Sequence, residues 1–233
     1  MDTAIYHGVA AMSAAEKRLD SIAHNIANSD TPAYKRMDSI TQSFRLKRGA
    51  EWDDQPRSWQ RTDFTQGTLR PTGSPWHVGL EGEGFIVVDS PDGQLYTRNG
   101  SLRIDDQGVL QTVEGFPVAW SNQRGQLDPR GANPVIEKDG KVFQGDQEIG
   151  QMRLVSFDRL DQLRQNDIGY WQASPSLNEN ESTAIVHQGT LEGSNTSAVD
   201  ELVGLIRVQR SFESTARLLQ MVDQSYQRLT RPS

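Results

Sequence analysis

The chain of 233 residues contains no cysteine, which excludes disulfide frameworks, thiolate metal sites and cysteine nucleophiles together. Long apolar runs are missing too: no segment approaches the 18 or so residues that a membrane-spanning helix requires. The opening Met1-Asp2-Thr3-Ala4-Ile5 has neither the basic start nor the apolar stretch of a secretory signal, so export with a cleaved signal is not expected. A surplus of positive charge is also absent. With 24 Lys+Arg against 31 Asp+Glu and a net charge of -7, the electrostatic footprint of a phosphate-backbone binder is missing, and nucleic acid is not an expected partner.

Catalytic and cofactor constellations are equally sparse. The four histidines, His7, His24, His77 and His187, show no metal-ligand spacing. Glu81 with Glu83 and Asp105 with Asp106 pair acids in turn-like surroundings, without the calcium-loop pattern and with no neighbour to supply a second catalytic role. No G-x-S-x-G elbow occurs, and Gly82-Glu83-Gly84-Phe85 is followed by none of the residues of a phosphate loop. The sequence therefore predicts no metal, no cofactor and no enzyme.

What is present is a contrast between the ends and the middle. Residues 1 to 50 carry 7 basic and 5 acidic groups, residues 51 to 189 carry 12 and 21, and residues 190 to 233 carry 5 and 5. The N-terminal stretch repeats apolar residues at Ile5, Val9, Met12, Leu19, Ala23 and Ile26, broken only by Glu16, in the alternating steps of a helical seam. That helix should end near Asn28, where Asn28-Ser29-Asp30-Thr31-Pro32 competes with helical hydrogen bonding. The C-terminal stretch matches it with Leu205, Val208, Phe212, Leu219, Val222, Tyr226 and Leu229, Thr215 being the weak member. Ser197 or Asn195 is placed to cap it, with Asp200 and Glu201 near its positive end.

Between them, residues 51 to 189 hold 16 of the 20 glycines and 8 of the 10 prolines, which leaves no room for a long helix. Short β-type runs at 85–88, 95–97, 101–104, 109–112 and 152–157 alternate with turn signals at 91–93, 99–100, 106–108 and 138–140. Residues 41–65 show neither period and read as an extended connector. The expected fold is α+β: terminal helices packed as a coiled-coil-like pair, bracketing an antiparallel β domain. The expected boundaries are 1–40 with 190–233 for the helical part, 41–65 for the connector and 66–189 for the β domain. The string Gln-Gly-Thr-Leu at 66–69 and again at 188–191 hints that the entry and exit of that domain share an environment.

Three blocks carry a resemblance. Leu19 to Arg36, with Asn25, Asn28, Thr31, Pro32 and Tyr34, resembles the N-terminal signature of bacterial flagellar rod and hook proteins, with Ala33 where that family usually has glycine. Asp63–Leu69, Glu81–Phe85 and Tyr96–Ser101 resemble the β domain of the proximal and distal rod subunits, leaning toward the proximal one. Gln188–Asn195 followed by Gln209–Glu213 resembles the family's C-terminal end. The resemblance implies a structural subunit of the basal-body rod, exported unfolded by the flagellar type III apparatus and polymerised helically. Its partners would be copies of itself and other rod or hook subunits, together with the export apparatus, without membrane insertion. Two rivals follow from the residues alone. One is a cell-wall-glycan-binding β domain on a helical stalk, with Trp52, Trp59, Trp76, Trp120 and Trp171 as stacking surfaces. The other is a hydrolase built on Glu81, Glu83, Asp105 or Asp106.

Overall fold

The N-terminal stretch is helical: α1 spans Asp2–Ala27 and stops where Asn28 turns its side chain back to donate to the His24 carbonyl oxygen at 2.9 Å. The computed structural model describes residues 2–48 and 51–229, and the side chains of 7–42, 58–222 and Gln224. The side chains of Ile5, Tyr226, Leu229 and Trp52 lie outside the described residues. At the other end α2 spans Ala198–Leu229. Of its two candidate caps, Ser197 is the one used, its Oγ accepting from the Asp200 amide at 3.4 Å; the Asn195 side chain is engaged by Thr65 instead.

The chain divides into two compact units. Residues 1–29, 36–63 and 196–233 form the first, and residues 30–35 with 64–195 the second. The first contains α1, α2 and a ribbon of two antiparallel strands, β1 (Met37–Arg48) and β2 (Glu51–Thr62). Much of the stretch expected as a connector is thus extended but paired, in unbroken register from Met37↔Thr62 to Arg48↔Glu51. Twelve residues per strand carry it roughly 40 Å. The alternation that would mark a half-buried strand is missing because the ribbon belongs to no larger sheet.

The second unit is built from antiparallel strands. A six-stranded sheet runs, in spatial order, through Arg164–Gln165, Trp171–Gln172, Gly93–Thr97, Phe85–Ser90, Leu154–Ser156 and Asn180–Glu181. A four-stranded sheet runs through Pro134–Ile136, Lys141–Gln144, Gln147–Met152 and Trp120–Gln123. The turn signals at 91–93, 106–108 and 138–140 close hairpins, whereas Asn99-Gly100 links strands of different sheets. The run expected at 152–157 splits at Arg153, with Met152 ending one strand and Leu154 opening another.

Phe85-Ile86-Val87-Val88 is buried on both faces, Phe85 and Val87 in one apolar cluster and Ile86 and Val88 in the other. That double burial is why the run reads as continuously apolar rather than alternating. Trp171 belongs to the Phe85 cluster, with its ring 4.8 Å from that of Phe64. Trp76 and Trp120 pack on the larger cluster, and Trp59 is 41% exposed.

Candidate functional site

In the first unit the seams meet through small residues. A Cβ on Gly8 would lie 2.5 Å from Cδ2 of Leu219, and one on Gly204 would touch Ile22 at 3.6 Å, so Leu219 fills a notch in α1 that any larger residue would close. Of the N-terminal seam residues, Met12, Leu19 and Ile26 are partly buried and Val9 is 57% exposed. Its row is displaced by one residue: Gly8, Ala15 and the buried Ile22 take the places expected for Val9, Glu16 and Ala23. Both rows satisfy steps of three and four, and the acid at Glu16 marked the outward one. On α2, Leu205, Phe212, Leu219 and Val222 are partly buried and Val208 is 5% exposed.

A polar knot ties the elements of this unit. The Asn25 side chain is 1% exposed. Its Nδ2 donates to the Met37 carbonyl and its Oδ1 accepts from the Met37 amide, both at 2.9 Å, so one side chain satisfies the first residue of β1 as a neighbouring strand would. Nδ2 also lies 3.3 Å from Oε1 of Glu201, and the same oxygen accepts from Nε of Arg36 at 2.6 Å. The hydrogen bond to Glu201 holds the Arg36 guanidinium above its usual pKa, against some desolvation. Glu201, expected only to favour a helix dipole, is 3% exposed and a centre of this knot.

In the second unit a single carboxylate gathers the chain. Glu192 is 1% exposed; its Oε1 accepts from Lys35 Nζ at 2.7 Å and from the Gly67 amide at 2.9 Å, and its Oε2 from Arg98 Nε at 2.7 Å. Lys35 also donates to the Thr65 carbonyl at 2.8 Å, and Arg98 spreads its remaining donors over the carbonyls of Leu80, Gly82 and Gly84. The donors of both cations are thereby directed at oxygen, the condition on which buried charge is tolerated. The paired strands Leu69–Pro71 and Thr190–Glu192 lie alongside, with Leu69 opposite Glu192 and Leu191 opposite Arg70, so the two Gln-Gly-Thr-Leu strings approach one another at their leucine ends. Gly67 has no room for a side chain, since a Cβ there would sit 2.0 Å from the Gly193 carbonyl oxygen.

The signature residues after α1 lead into this clasp. Among the described residues Ala33 is the one non-glycine residue with positive φ, at 56°, the left-handed conformation for which glycine is the ordinary choice. Its amide donates to the Glu192 carbonyl at 2.8 Å, and the Asn195 amide donates to the Tyr34 carbonyl at 3.3 Å. Thr31 accepts from the Tyr34 amide through its carbonyl, Pro32 is half-buried and Tyr34 is buried. The clasp residues Lys35, Arg98 and Glu192 escape sequence reasoning because charged residues are ordinarily solvated. Their one signal is position, since each stands inside one of the three recognised blocks.

Among the described residues no catalytic arrangement accompanies these contacts. Glu81 and Glu83 are exposed, and Oε2 of Glu81 lies 2.6 Å from Nε2 of the half-buried His187. Among the described residues no group of three His, Asp or Glu side chains is arranged to hold a metal ion, and no helix is long and apolar enough to cross a membrane.

Comparison with known proteins gives one answer along the whole chain. Residues 5–35 match the model of the flagella basal body rod protein, residues 79–144 that of the flagellar hook protein FlgE/F/G D1 domain, and residues 187–231 that of the flagellar basal body rod FlgEFG protein C-terminal region. The flagellar basal-body rod protein FlgF of Caulobacter vibrioides is 32% identical over 228 residues, covering 94% of this chain and 93% of the relative. FlgF of Mesorhizobium japonicum is 31% identical, covering 97% and 95%, and the rod protein FlgG of Buchnera aphidicola from Schizaphis graminum is 31% identical, covering 94% and 95%. The chain belongs to the flagellar basal-body rod protein family, whose members are structural, non-enzymatic components of the flagellar basal body.

Proposed function

We propose that the chain polymerises through its terminal helices, which pair as an antiparallel coiled coil and then bury a second face against neighbouring subunits. One observation carries this reading. Besides the seam turned toward α1, helix α2 exposes Val199 (70%), Leu202 (48%), Val203 (43%) and Ile206 (49%). These stand at i, i+3, i+4 and i+7, one continuous stripe. Leu218 and Met221, each 56% exposed, extend the apolar surface toward the far end. A helix apolar on two sides has more surface to bury than one partner supplies. At about 25 cal/mol per Å2, covering such a stripe contributes several kcal/mol per contact, a gain repeated along a polymer.

In this reading residues 1–40 and 190–233 assemble, with Asn25, Asn28, Thr31, Pro32 and Tyr34 shaping the passage out of α1, while 66–189 forms a separate β domain. The partners are other copies and adjoining rod or hook subunits, reached by type III export of the unfolded chain. The blocks at 63–69 and 96–101 support a proximal rather than a distal position. As to kind, alignments with the two FlgF relatives run 228 and 229 residues, against 255 with FlgG of Buchnera aphidicola, so the fit to FlgF needs fewer insertions.

The test is Val203→Asp with Ile206→Asp. Both positions are exposed, so the purified chain should keep its circular dichroism and thermal melt. Cells carrying the variant should export the subunit yet build no rod beyond it. Normal rods and normal swimming would remove the stripe from the assembly surface.

A further inference from the structure

The first unit is not closed on itself. A cleft of about 530 Å3 opens between its elements, floored by Ala11, Ala14 and Ala15 of α1, Ser39 and Thr41 of β1, and Val208 and Ser211 of α2, with Arg18 and Arg207 at its walls. The cleft is open to solvent and its lining side chains are mostly small, so it leaves room for a further segment of chain to seat. The two arginines sharpen the case. Both are exposed, and neither pairs with a carboxylate among the described residues. No acid stands three or four residues away on either helix, where a partner would be in reach: Arg18 has Ala14, Ala15, Ser21 and Ile22, and Arg207 has Val203, Gly204, Arg210 and Ser211. Two like charges converge on one cleft without a counter-charge.

The opposite flank of α1 carries what the cleft lacks. Glu16 stands two residues from Arg18, about 200° around the helix, and Asp20 continues the same row; both are exposed and unpaired among the described residues. Val9, 57% exposed, lies two turns earlier on that flank. The row places an apolar side chain about 10 Å before the first carboxylate and about 16 Å before the second. It is the complement of an alanine floor walled by guanidinium groups.

We infer that the cleft is the seat for the Val9–Glu16–Asp20 flank of α1 from a second copy of this chain, with the two carboxylates meeting Arg18 and Arg207. The inference rests on the assembly reading above and adds to it a specific pair of surfaces. Because the donor flank and the receiving cleft are different patches, the contact is heterologous. Each copy fills the next and leaves its own cleft to be filled, so the contact propagates instead of stopping at a dimer. The paired charges set register and direction, while apolar burial by Val9 and by the stripe on α2 supplies most of the affinity.

A charge-swap experiment on the purified full chain tests this, with assembly followed by light scattering and sedimentation at low salt and folding checked by circular dichroism. Arg18→Glu with Arg207→Glu makes cleft and flank both negative, and Glu16→Lys with Asp20→Lys makes both positive. Each variant alone should assemble at least about tenfold more weakly than the parent, with the defect shrinking as salt screens the repulsion. Mixed in equal amounts the two should co-assemble, and the chain bearing all four changes should assemble alone. If both variants assemble like the parent, or if the mixture stays monomeric, the seat is wrong while the assembly reading stands. A parent chain that remains monomeric at every concentration removes both.

Discussion

Replacing Glu192 by Gln keeps the shape of the clasp and removes its only negative charge. Lys35 and Arg98 are 1% and 6% exposed, so neither recovers water when its carboxylate is lost, and an amide nitrogen is as well placed to face them as an oxygen. Removing one partner of a buried ion pair costs about 3–5 kcal/mol, and here two cations share the partner, which puts the expected loss at the upper end. The Gly67 amide loses a charge-assisted acceptor as well. With a urea dependence of about 2 kcal/mol per M, the unfolding midpoint of the β unit, read by tryptophan fluorescence and near-ultraviolet circular dichroism, should fall by roughly 2–2.5 M. Lys35→Met supplies the control. It removes one of two cations and leaves a neutral Arg98–Glu192 pair, so its cost must be clearly smaller. A Glu192→Gln midpoint within experimental error of the parent, or a larger loss from Lys35→Met, would refute the account of Glu192 as the charge that makes the site tolerable.

Ala33→Gly should stabilise, because glycine relieves a left-handed alanine of about 1 kcal/mol of strain; the melt of the β unit should rise by a few degrees, and a fall would show that φ is not the controlling quantity. Burial first, and then the neighbouring carboxylates of Glu179 and Glu114, push the Tyr96 and Tyr170 phenols above their usual pKa. The stability they contribute is therefore complete below about pH 10 and is lost as pH climbs from there through the raised folded value. Replacing both by Phe should flatten that alkaline loss in urea titrations, and an equal loss in the double variant would assign it to other groups. Glu81→Gln with Glu83→Gln should leave motility and assembly nearly intact. Gly82→Val should be damaging through its φ of 97°, and Gly84→Val because a Cβ there would lie 2.2 Å from the Ser182 hydroxyl; loss of motility in the Gln variant with rods assembled normally would argue for a chemical role of the acids.

Much of this architecture was legible because the signals were local. Periodicity located both helices within a residue or two, and glycine-bearing turns marked three of the hairpins. Ala33 stands where the resembled pattern usually has glycine, and its φ of 56° is the conformation that glycine would take without strain. What stayed hidden depends on pairing across distance. The ribbon of β1 and β2 shows no alternation because no sheet covers it, so its strands resembled a connector. Val9 fits the seam spacing as well as Gly8 does, because two rows one residue apart satisfy the same steps, and only the partner helix selects between them. The clasp and the knot join residues 35 with 192 and 25 with 201. No rule of local composition brings such residues together or distinguishes a buried Lys or Glu from a solvated one.

The pairing of Leu69–Pro71 with Thr190–Glu192 has a consequence for the family's versatility. The chain enters and leaves the β unit on neighbouring strands, roughly 5 Å apart, so everything between the two strings forms one loop with a fixed mouth. Whatever bridges that mouth can be enlarged, shortened or exchanged without moving the points where the helical segments begin. A foreign domain with adjacent ends, spliced between Pro71 and Thr190 with the pairing strands kept, would then be carried on the basal-body rod as cargo, making this component of the rod a scaffold for display.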